Sequence, residues 1–528
     1  MRLLLILFGV VDFVFAAKIL VFIPEFGESH QKHLAKIADF LSLYHDVTAI
    51  ISPMDPEDAN VAGIKLAKTI RRKENPSVGK EISEGRDDFK KMMWTNPSAD
   101  PIGLFHITCM TKQIFSLHCQ SLMDDEELTD WIKNEKFDLA LAETFDSCHF
   151  GMYTLWGIKN HIALSSGYAF SPFYEAFGLT FPTSQTPSVF ADFGSNGMGF
   201  KERLLNVYYE FVTDQFLGRP KRIEQALFDK KYGKNVINID KNIGEAAYWI
   251  TNAEPLLNFG QPVLSKILEL GGFNIKPANA LNKEWEDILH LRKNTILISF
   301  GSVAKAYLLP DKCKKNLKAV FKAMPETTFI FKYEKDDMIE EGVSNVMYIN
   351  SWLPQVDLLN HPQLDGFVSH GGLNSLVESA NFGKALVLIP LFGDQPRNAE
   401  AAKALGIGMP LSKFDLDNFD IVKHTFEEVF TKSDKYKLNA LRIREVLRNQ
   451  PINKTDLFLK HVDFAAKYGS QKMLQMIGTD QNFVQKNNLD IYGLLLVVVF
   501  SFVYLIFASL KYFCCRKNNV VAKAKKTN

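Results

Sequence analysis

Cysteine is scarce in this chain, with six residues in 528. The four that precede the C-terminal region, Cys109, Cys119, Cys148 and Cys313, are too sparse for a disulfide framework in so large a domain. The adjacent pairs His118-Cys119 and Cys148-His149 lack the spacing of a zinc site, so no metal is expected. An excess of charge of either sign is also missing: 61 Lys and Arg stand against 60 Asp and Glu, a net charge of +1. That balance excludes the basic footprint of a nucleic-acid-binding protein. Neither half of the sequence has a G-x-G-x-x-G turn after its first strand, which argues against a dinucleotide cofactor.

The chain does carry a long apolar run near each end. Met1-Arg2 leads into LLLILFGVVDFVFAA, in which Val14-Phe15-Ala16 fits a small-residue cleavage site. This predicts a signal peptide over residues 1–16 and a mature chain beginning near Ala17. Residues 491–510 have no formal charge and would span about 30 Å as a helix, enough for a bilayer core. Lys511, Arg516, Lys517, Lys523, Lys525 and Lys526 follow, so the positive-inside rule predicts a single-pass type I protein with a cytosolic tail over 511–528. The rest would face the lumen, where Asn453-Lys454-Thr455 offers a glycosylation sequon. Lys525-Lys526 resembles the dilysine retrieval signal of endoplasmic-reticulum membrane proteins and also suits a basic tail at anionic lipid. Cys514 and Cys515, beside the span, are candidates for acylation.

Between these ends, short apolar runs alternate with helical spacing. Residues 18–23 (KILVFI), 47–51, 137–142 (FDLALA) and 162–164 read as buried strands, with a helix over 29–44. Residues 295–300, 327–331, 346–349, 366–369 and 385–389 repeat the pattern at the interval of βα units. The expected class is α/β, with two doubly wound Rossmann-like domains over 17–272 and 273–485. They would meet near residues 252–275, where Pro255, Pro262, Gly271 and Gly272 cluster.

Residues 352–395, WLPQVDLLNHPQLDGFVSHGGLNSLVESANFGKALVLIPLFGDQ, hold the densest motif. Gly366 to Ser369 is an apolar strand that ends at His370-Gly371-Gly372 and opens into a helix carrying Asn374, Ser375 and Glu378. Such a turn offers free backbone N–H groups and the positive end of a helix dipole, a fit for a pyrophosphate. Glu378 lies one turn on and can accept from ribose hydroxyls. Trp352 offers an indole face for a flat base. Each residue alone could serve an ordinary βα unit with a buried Trp and a capped helix; the ordered set is specific.

The pattern W-x-x-Q, H-G-G-x-N-S-x-x-E and D-Q, set by Trp352, Gln355, His370, Gly371, Gly372, Asn374, Ser375, Glu378, Asp394 and Gln395, resembles the signature of the UDP-glycosyltransferases. The resemblance runs from the first strand to the membrane tail. It implies the GT-B architecture, two domains facing across a cleft, with helices after about Tyr436 returning to the N-terminal half. It also implies that Gln355 reaches the nucleoside, that Asp394 and Gln395 bond the donor sugar, and that Ser302 adds a phosphate contact. The family's catalytic histidine follows the first strand in a Ser-His pair, which Ser29-His30 matches. Its carboxylate partner is an Asp at the position held here by Glu143; Asp146 is the fallback. His33 reads as a residue of the helix flank, because no further ligand completes a metal pair with His30.

The co-substrate implied is UDP-glucuronate or, as the close alternative, UDP-glucose, with no other cofactor. Arg397 could answer a sugar carboxylate or be a solvated helix residue. Residues 168–193 hold eight aromatic side chains, which suits either an apolar pocket for a lipophilic hydroxyl acceptor or core packing. The expected function is an inverting glucuronosyl transfer by a membrane-bound enzyme, with homo- or hetero-oligomers possible partners beside the bilayer. A catalytically silent protein that binds lipophiles or UDP-sugars is the other reading, favoured by Glu at position 143.

Overall fold

The computed structural model describes residues 16–59, 61–97, 101–275, 277–339 and 343–524. The signal peptide expected over 1–16, except Ala16, and Lys525-Lys526 lie outside these residues. The first sheet comprises β1 (Lys18–Pro24), β2 (Asp46–Ser52), β3 (Lys68–Arg71), β4 (Leu139–Glu143), β5 (His161–Ser165), β6 (Trp249–Thr251) and β7 (Ile267–Glu269). The second comprises β8 (Asn294–Ser299), β9 (Thr327–Lys332), β10 (Val346–Ile349), β11 (Gly366–Ser369), β12 (Ala385–Leu388) and β13 (Gly408–Pro410). The strand orders are β3-β2-β1-β4-β5-β6-β7 and β10-β9-β8-β11-β12-β13, and every pairing is parallel.

Parallel strands covered on both faces must be apolar on both, which is why β1 and β4 read as unbroken hydrophobic runs. Leu20, Phe22, Ala140 and Ala142 enter one core, while Ile19, Val21, Leu139 and Leu141 enter another on the opposite face. The helix Lys454–Tyr468 supplies Phe458, Val462, Ala465 and Ala466 to the second of these. Asn453 caps that helix, accepting from the N–H groups of Thr455 and Asp456.

Each sheet reverses its winding once, between β1 and β4 and between β8 and β11. Ligand crevices in open α/β sheets form beyond the carboxyl ends of strands at such reversals. A further junction ties the halves: Met93 and Trp94, at the end of the helix Pro76–Thr95, are buried in the core of the second sheet. Trp94 meets Phe300 edge-on at 5.0 Å and donates its indole N–H to the Lys305 carbonyl at 3.1 Å.

Residues through Gln475 form one compact unit and Met476–Asn528 form another. The second unit is built around the helix Leu489–Ala524, whose portion Leu489–Tyr512 is strongly apolar. Among the described residues it is the one helix long and apolar enough to cross a membrane.

The sparse cysteines do make one bridge. Cys119 and Cys148 are disulfide-bonded with their Cα atoms 5.5 Å apart, joining the helices Pro101–Met123 and Cys148–Trp156. With the partners 29 positions apart in sequence, nothing local in the sequence marks the pair. Closing a loop of that length stabilises the fold by roughly 3–4 kcal/mol in the chain-entropy account. Cys119→Ser should therefore lower the unfolding midpoint measured by thermal denaturation of the solubilised protein, and reductant should lower the wild type to match.

Candidate active site

His30 stands in the first turn of the helix Glu28–Leu41, just beyond β1, and Glu143 is the last residue of β4. The winding reversal between these strands therefore brings the two side chains together. His30 Nδ1 lies 2.9 Å from Glu143 Oε2. The other carboxylate oxygen accepts from the Ser166 N–H at 2.8 Å and the Ser166 hydroxyl at 2.5 Å, and that hydroxyl is 2.7 Å from His30 Nδ1. The extra methylene of Glu relative to Asp is thus held by a serine immediately after β5. Burial works against charge on both partners. For His30, the charge and hydrogen bond of Glu143, with Asp394 adding to them, outweigh burial and raise the pKa above its ordinary value. For Glu143, the His30 charge and the bonds from His30 and Ser166 outweigh burial and hold the carboxyl well below the usual range.

Asp146 is engaged elsewhere. Its carboxylate lies 3.2 Å from His118 Nδ1 and accepts from the Cys148 N–H, and His118 Nε2 is 2.7 Å from the Ser52 hydroxyl. His33 is buried edge-on to Phe273 at 6.4 Å, and burial pushes its pKa down to about 4. It is a core residue rather than a flank one, because its helix packs closely on β1 and β2.

The second reversal gathers the other set. Gly372 caps the helix Leu373–Phe382 without any side-chain cap, so its first-turn N–H groups remain open to an anion. The His370 ring is clasped between two glycines: a Cβ at Gly301 would sit 2.8 Å from the ring, and one at Gly372 2.6 Å from it. Gly301 and Gly371 also take φ values of +82° and +85°, where L side chains are strained. Ser302 follows Gly301 in this turn. Burial, reinforced by the Lys332 charge, pushes His370 down to about 4, so it faces the turn as a neutral imidazole.

Gln355 donates to Glu378 at 2.7 Å and reaches Ser375 at 3.4 Å, which joins three motif residues into one cluster. Burial raises the Glu378 pKa against the opposing bond from Gln355. Trp352 is 66% exposed, and Lys32, from the helix that carries His30, places its Nζ 3.5 Å from the ring centroid. Asp394 accepts from Asn398 at 2.9 Å, and Gln395 turns its carbonyl oxygen to the N–H groups of Leu391 and Phe392 at 2.8 and 3.0 Å. The amide NH2 of Gln395 is left as its donor. Among the described residues no group of three or more His, Cys, Asp or Glu side chains is arranged to hold a metal ion.

Two half-sites at paired reversals, one with a half-buried imidazole on a buried carboxylate and one with a turn of open N–H groups, fit a transfer between two bound substrates. A family model described as "UDP-glucoronosyl and UDP-glucosyl transferase" matches residues 18–527. The chain belongs to this family. It is similar to human UDP-glucuronosyltransferase 1A8, 25% identical over 536 residues that cover 98% of this chain and 96% of the relative. Human UDP-glucuronosyltransferase 1A7 is likewise 25% identical over 535 residues, with 98% and 96% covered. Among solved structures, Phytolacca americana UGT2 complexed with UDP-2-fluoro-glucose and pterostilbene matches at a TM-score of 0.57 and 14% identity, covering 85% of this chain and all of that one. That likeness establishes the GT-B fold, with its two parallel sheets. The protein is a glycosyltransferase of the UDP-glucuronosyl and UDP-glucosyl transferase family, and a UDP-sugar is its co-substrate.

In this transferase the ring-rich segment 168–193 serves mostly the core. Phe173, Tyr174 and Phe177 surround Trp249 at 6.2, 6.1 and 5.2 Å. Phe190 instead faces Phe216 and Phe392, both at 6.2 Å. Arg397 is not the solvated residue that its helix position allowed. It is 2% exposed, donates to the Pro187 carbonyl at 3.1 Å and to Asn258, and lies 4.4 Å over the Tyr168 ring. Ser166, Tyr168, Asn252 and Asn398 carry polar contacts at the site that sequence reasoning missed. The only local signal was the polar tripeptide Ser165-Ser166-Gly167 at the carboxyl end of a strand.

Removing the Glu378 carboxylate takes from Gln355 its shorter bond and leaves it only Ser375, and it takes away the acceptor expected for a ribose hydroxyl. Glu378→Ala should weaken UDP binding by about 1–3 kcal/mol in calorimetric titration. Unchanged affinity would take Glu378 out of the donor site.

Proposed function

We propose that this enzyme transfers glucuronate from UDP-glucuronate to a hydroxyl of a small lipophilic acceptor, with inversion at the anomeric carbon. The observation that carries the reading is the His30–Glu143 pair at 2.9 Å, its carboxylate buried and its imidazole half-buried, steadied by Ser166. His30 takes the acceptor proton through the ring nitrogen that Glu143 does not bind. The acceptor oxygen attacks the anomeric carbon as the bond to the β-phosphate oxygen breaks, and UDP leaves with the electron pair. Glu143 balances the imidazolium so formed. The open first turn at Gly371, Gly372, Asn374 and Ser375, with Ser302, meets the growing phosphate charge, to which neutral His370 adds only a dipole. Trp352 and Gln355 hold the base, Glu378 the ribose, and Asp394 and Gln395 the sugar hydroxyls.

A line of rings supports an apolar acceptor. His30 lies 5.3 Å from Phe145, Phe145 lies 6.2 Å from Phe216, and Phe216 lies 5.8 Å from Phe392, next to the segment bearing Asp394. The choice of glucuronate rests on the names of the relatives, and an assay of UDP-glucuronate against UDP-glucose on a panel of phenols tests it. The silent-binding reading rested on Glu at position 143, and its contacts with His30 and Ser166 remove that support. The disulfide, the apolar helix and the basic tail that follows it favour an endoplasmic-reticulum membrane protein of type I orientation, its catalytic unit luminal.

His30→Ala should lower kcat by roughly 10²–10⁴-fold while UDP affinity holds, because the nucleotide contacts lie on the other sheet. Turnover near that of the wild type with phenolic and aliphatic acceptors would overturn the mechanism. The base acts as neutral imidazole, so activity should fall as pH drops through the raised His30 pKa. In Glu143→Gln the group that raises that pKa is gone. The acid limb of the pH–rate profile should move to lower pH while the plateau rate falls.

A further inference from the structure

Four residues at the carboxyl end of β5, Ser165-Ser166-Gly167-Tyr168, touch both half-sites. On the base side, the Ser166 N–H and hydroxyl occupy Glu143 Oε1 and so leave Oε2 to His30. On the donor side, the Tyr168 hydroxyl donates to Asn398 Oδ1. That bond fixes the polarity of the Asn398 amide, whose NH2 group donates to the Gly371 carbonyl at 2.8 Å and to Asp394 at 2.9 Å.

Asn252 makes a second, parallel connection. Its backbone N–H donates to the carbonyls of Ser165 and Gly167 at 2.9 and 3.1 Å. Its side-chain NH2 donates to the Ser166 carbonyl at 3.1 Å and to Asn374 Oδ1 at 2.8 Å. With Oδ1 of Asn374 committed, the NH2 of that residue becomes the end offered to an anionic ligand. Tyr168, Asn252 and Asn398 are all buried, so their own donors and acceptors are hard to re-partner without loss, while Asn374, where the second connection ends, is exposed. A shift of the His370–Asn374 turn that moves the Gly371 carbonyl therefore loads buried groups connected to the Ser165–Tyr168 segment.

We propose that residues 165–168 and Asn252 couple the two half-sites, so that ordering of the glycine turn around the donor diphosphate fixes Ser166, and through it Glu143 and His30, in the alignment that activates the acceptor. The proposal rests on the reading of His30 as the base. Ser166, Tyr168 and Asn252 are positioning residues: they act through Glu143, Asn398 and Asn374 rather than on the reacting atoms. The acceptor is then activated efficiently only when the donor is in place.

Coupling between sites is reciprocal in binding, so a change on the base side is read as UDP affinity, and a change on the donor side is read separately in rate and pH profile. Full-length protein in microsomal membranes is compared as wild type, Ser166→Ala, Tyr168→Phe and the double variant. Tyr168→Phe keeps the ring under Arg397 and removes only the hydroxyl. Ser166→Ala, which leaves every nucleotide contact in place, should weaken UDP binding about threefold. Tyr168→Phe should lower kcat about tenfold with acceptor KM within twofold, and should move the acid limb of the pH–rate profile to lower pH as Glu143 loosens. The double variant should be little worse than the poorer single one, because residues acting as a unit are non-additive. Unchanged UDP affinity in Ser166→Ala, an unmoved acid limb in Tyr168→Phe, or losses that simply multiply would each overturn the coupling. Near-normal turnover in His30→Ala would instead remove the base assignment, and the UDP affinity of Ser166→Ala would still decide whether the two sides communicate.

Discussion

A carboxylate that is 2% exposed must have its charge met by neighbours, and the arrangement around Glu143 follows from that requirement. One oxygen takes two bonds from a single serine; the other takes a histidine. Neither partner is close in sequence, so the site exists only when β1, β4 and β5 lie side by side in register. Had Glu143 stood on an exposed loop, water would have answered its charge and left His30 an ordinary surface imidazole. Burial lends the pair its mutual influence, and the parallel sheet makes that burial possible.

The repetition of the βα plan gives two winding reversals, and the chemistry divides between them. The first collects side chains able to move a proton. The second collects backbone N–H groups, glycines and amides suited to hold a charged leaving group. Small residues dominate there because the His370 ring fills the space in which a Cβ at Gly301 or Gly372 would sit. Buried amides such as Asn252 and Asn398 fit the seam between the two, since one planar group can both give and receive a hydrogen bond.

Much of this was readable in the linear chain. The long strands β1, β4, β8, β9 and β11 are continuous apolar runs, and the motif over residues 352–395 names its own turn and helix. His30 and Glu143 could be placed because the family resemblance points to them, one in the turn into a helix after such a run and the other at the end of one. The strands β6, β7 and β13 have three residues each, too few to show a period, and they form only because neighbours offer a ladder edge. Ser166, Tyr168 and Asn252 are common residues whose significance lies in what faces them across the fold. Arg397 was open to two readings, a cation for a sugar carboxylate or a solvated helix residue, and tertiary packing removes the second by burying it among carbonyls and rings. The aromatic segment 168–193 was ambiguous because large rings build cores and pockets with the same composition.

The helix Lys454–Tyr468 bears on how the protein is made. It closes one face of a sheet whose first strand is Lys18–Pro24, with more than four hundred residues between them. During synthesis the N-terminal strands and the helix Glu28–Leu41, which covers β1 and β2, emerge early, yet the side chains that complete the same core against β5 arrive almost last. Until then part of an apolar face of the nascent chain lacks its last cover, so the N-terminal sheet finishes its core only when its own distant end arrives.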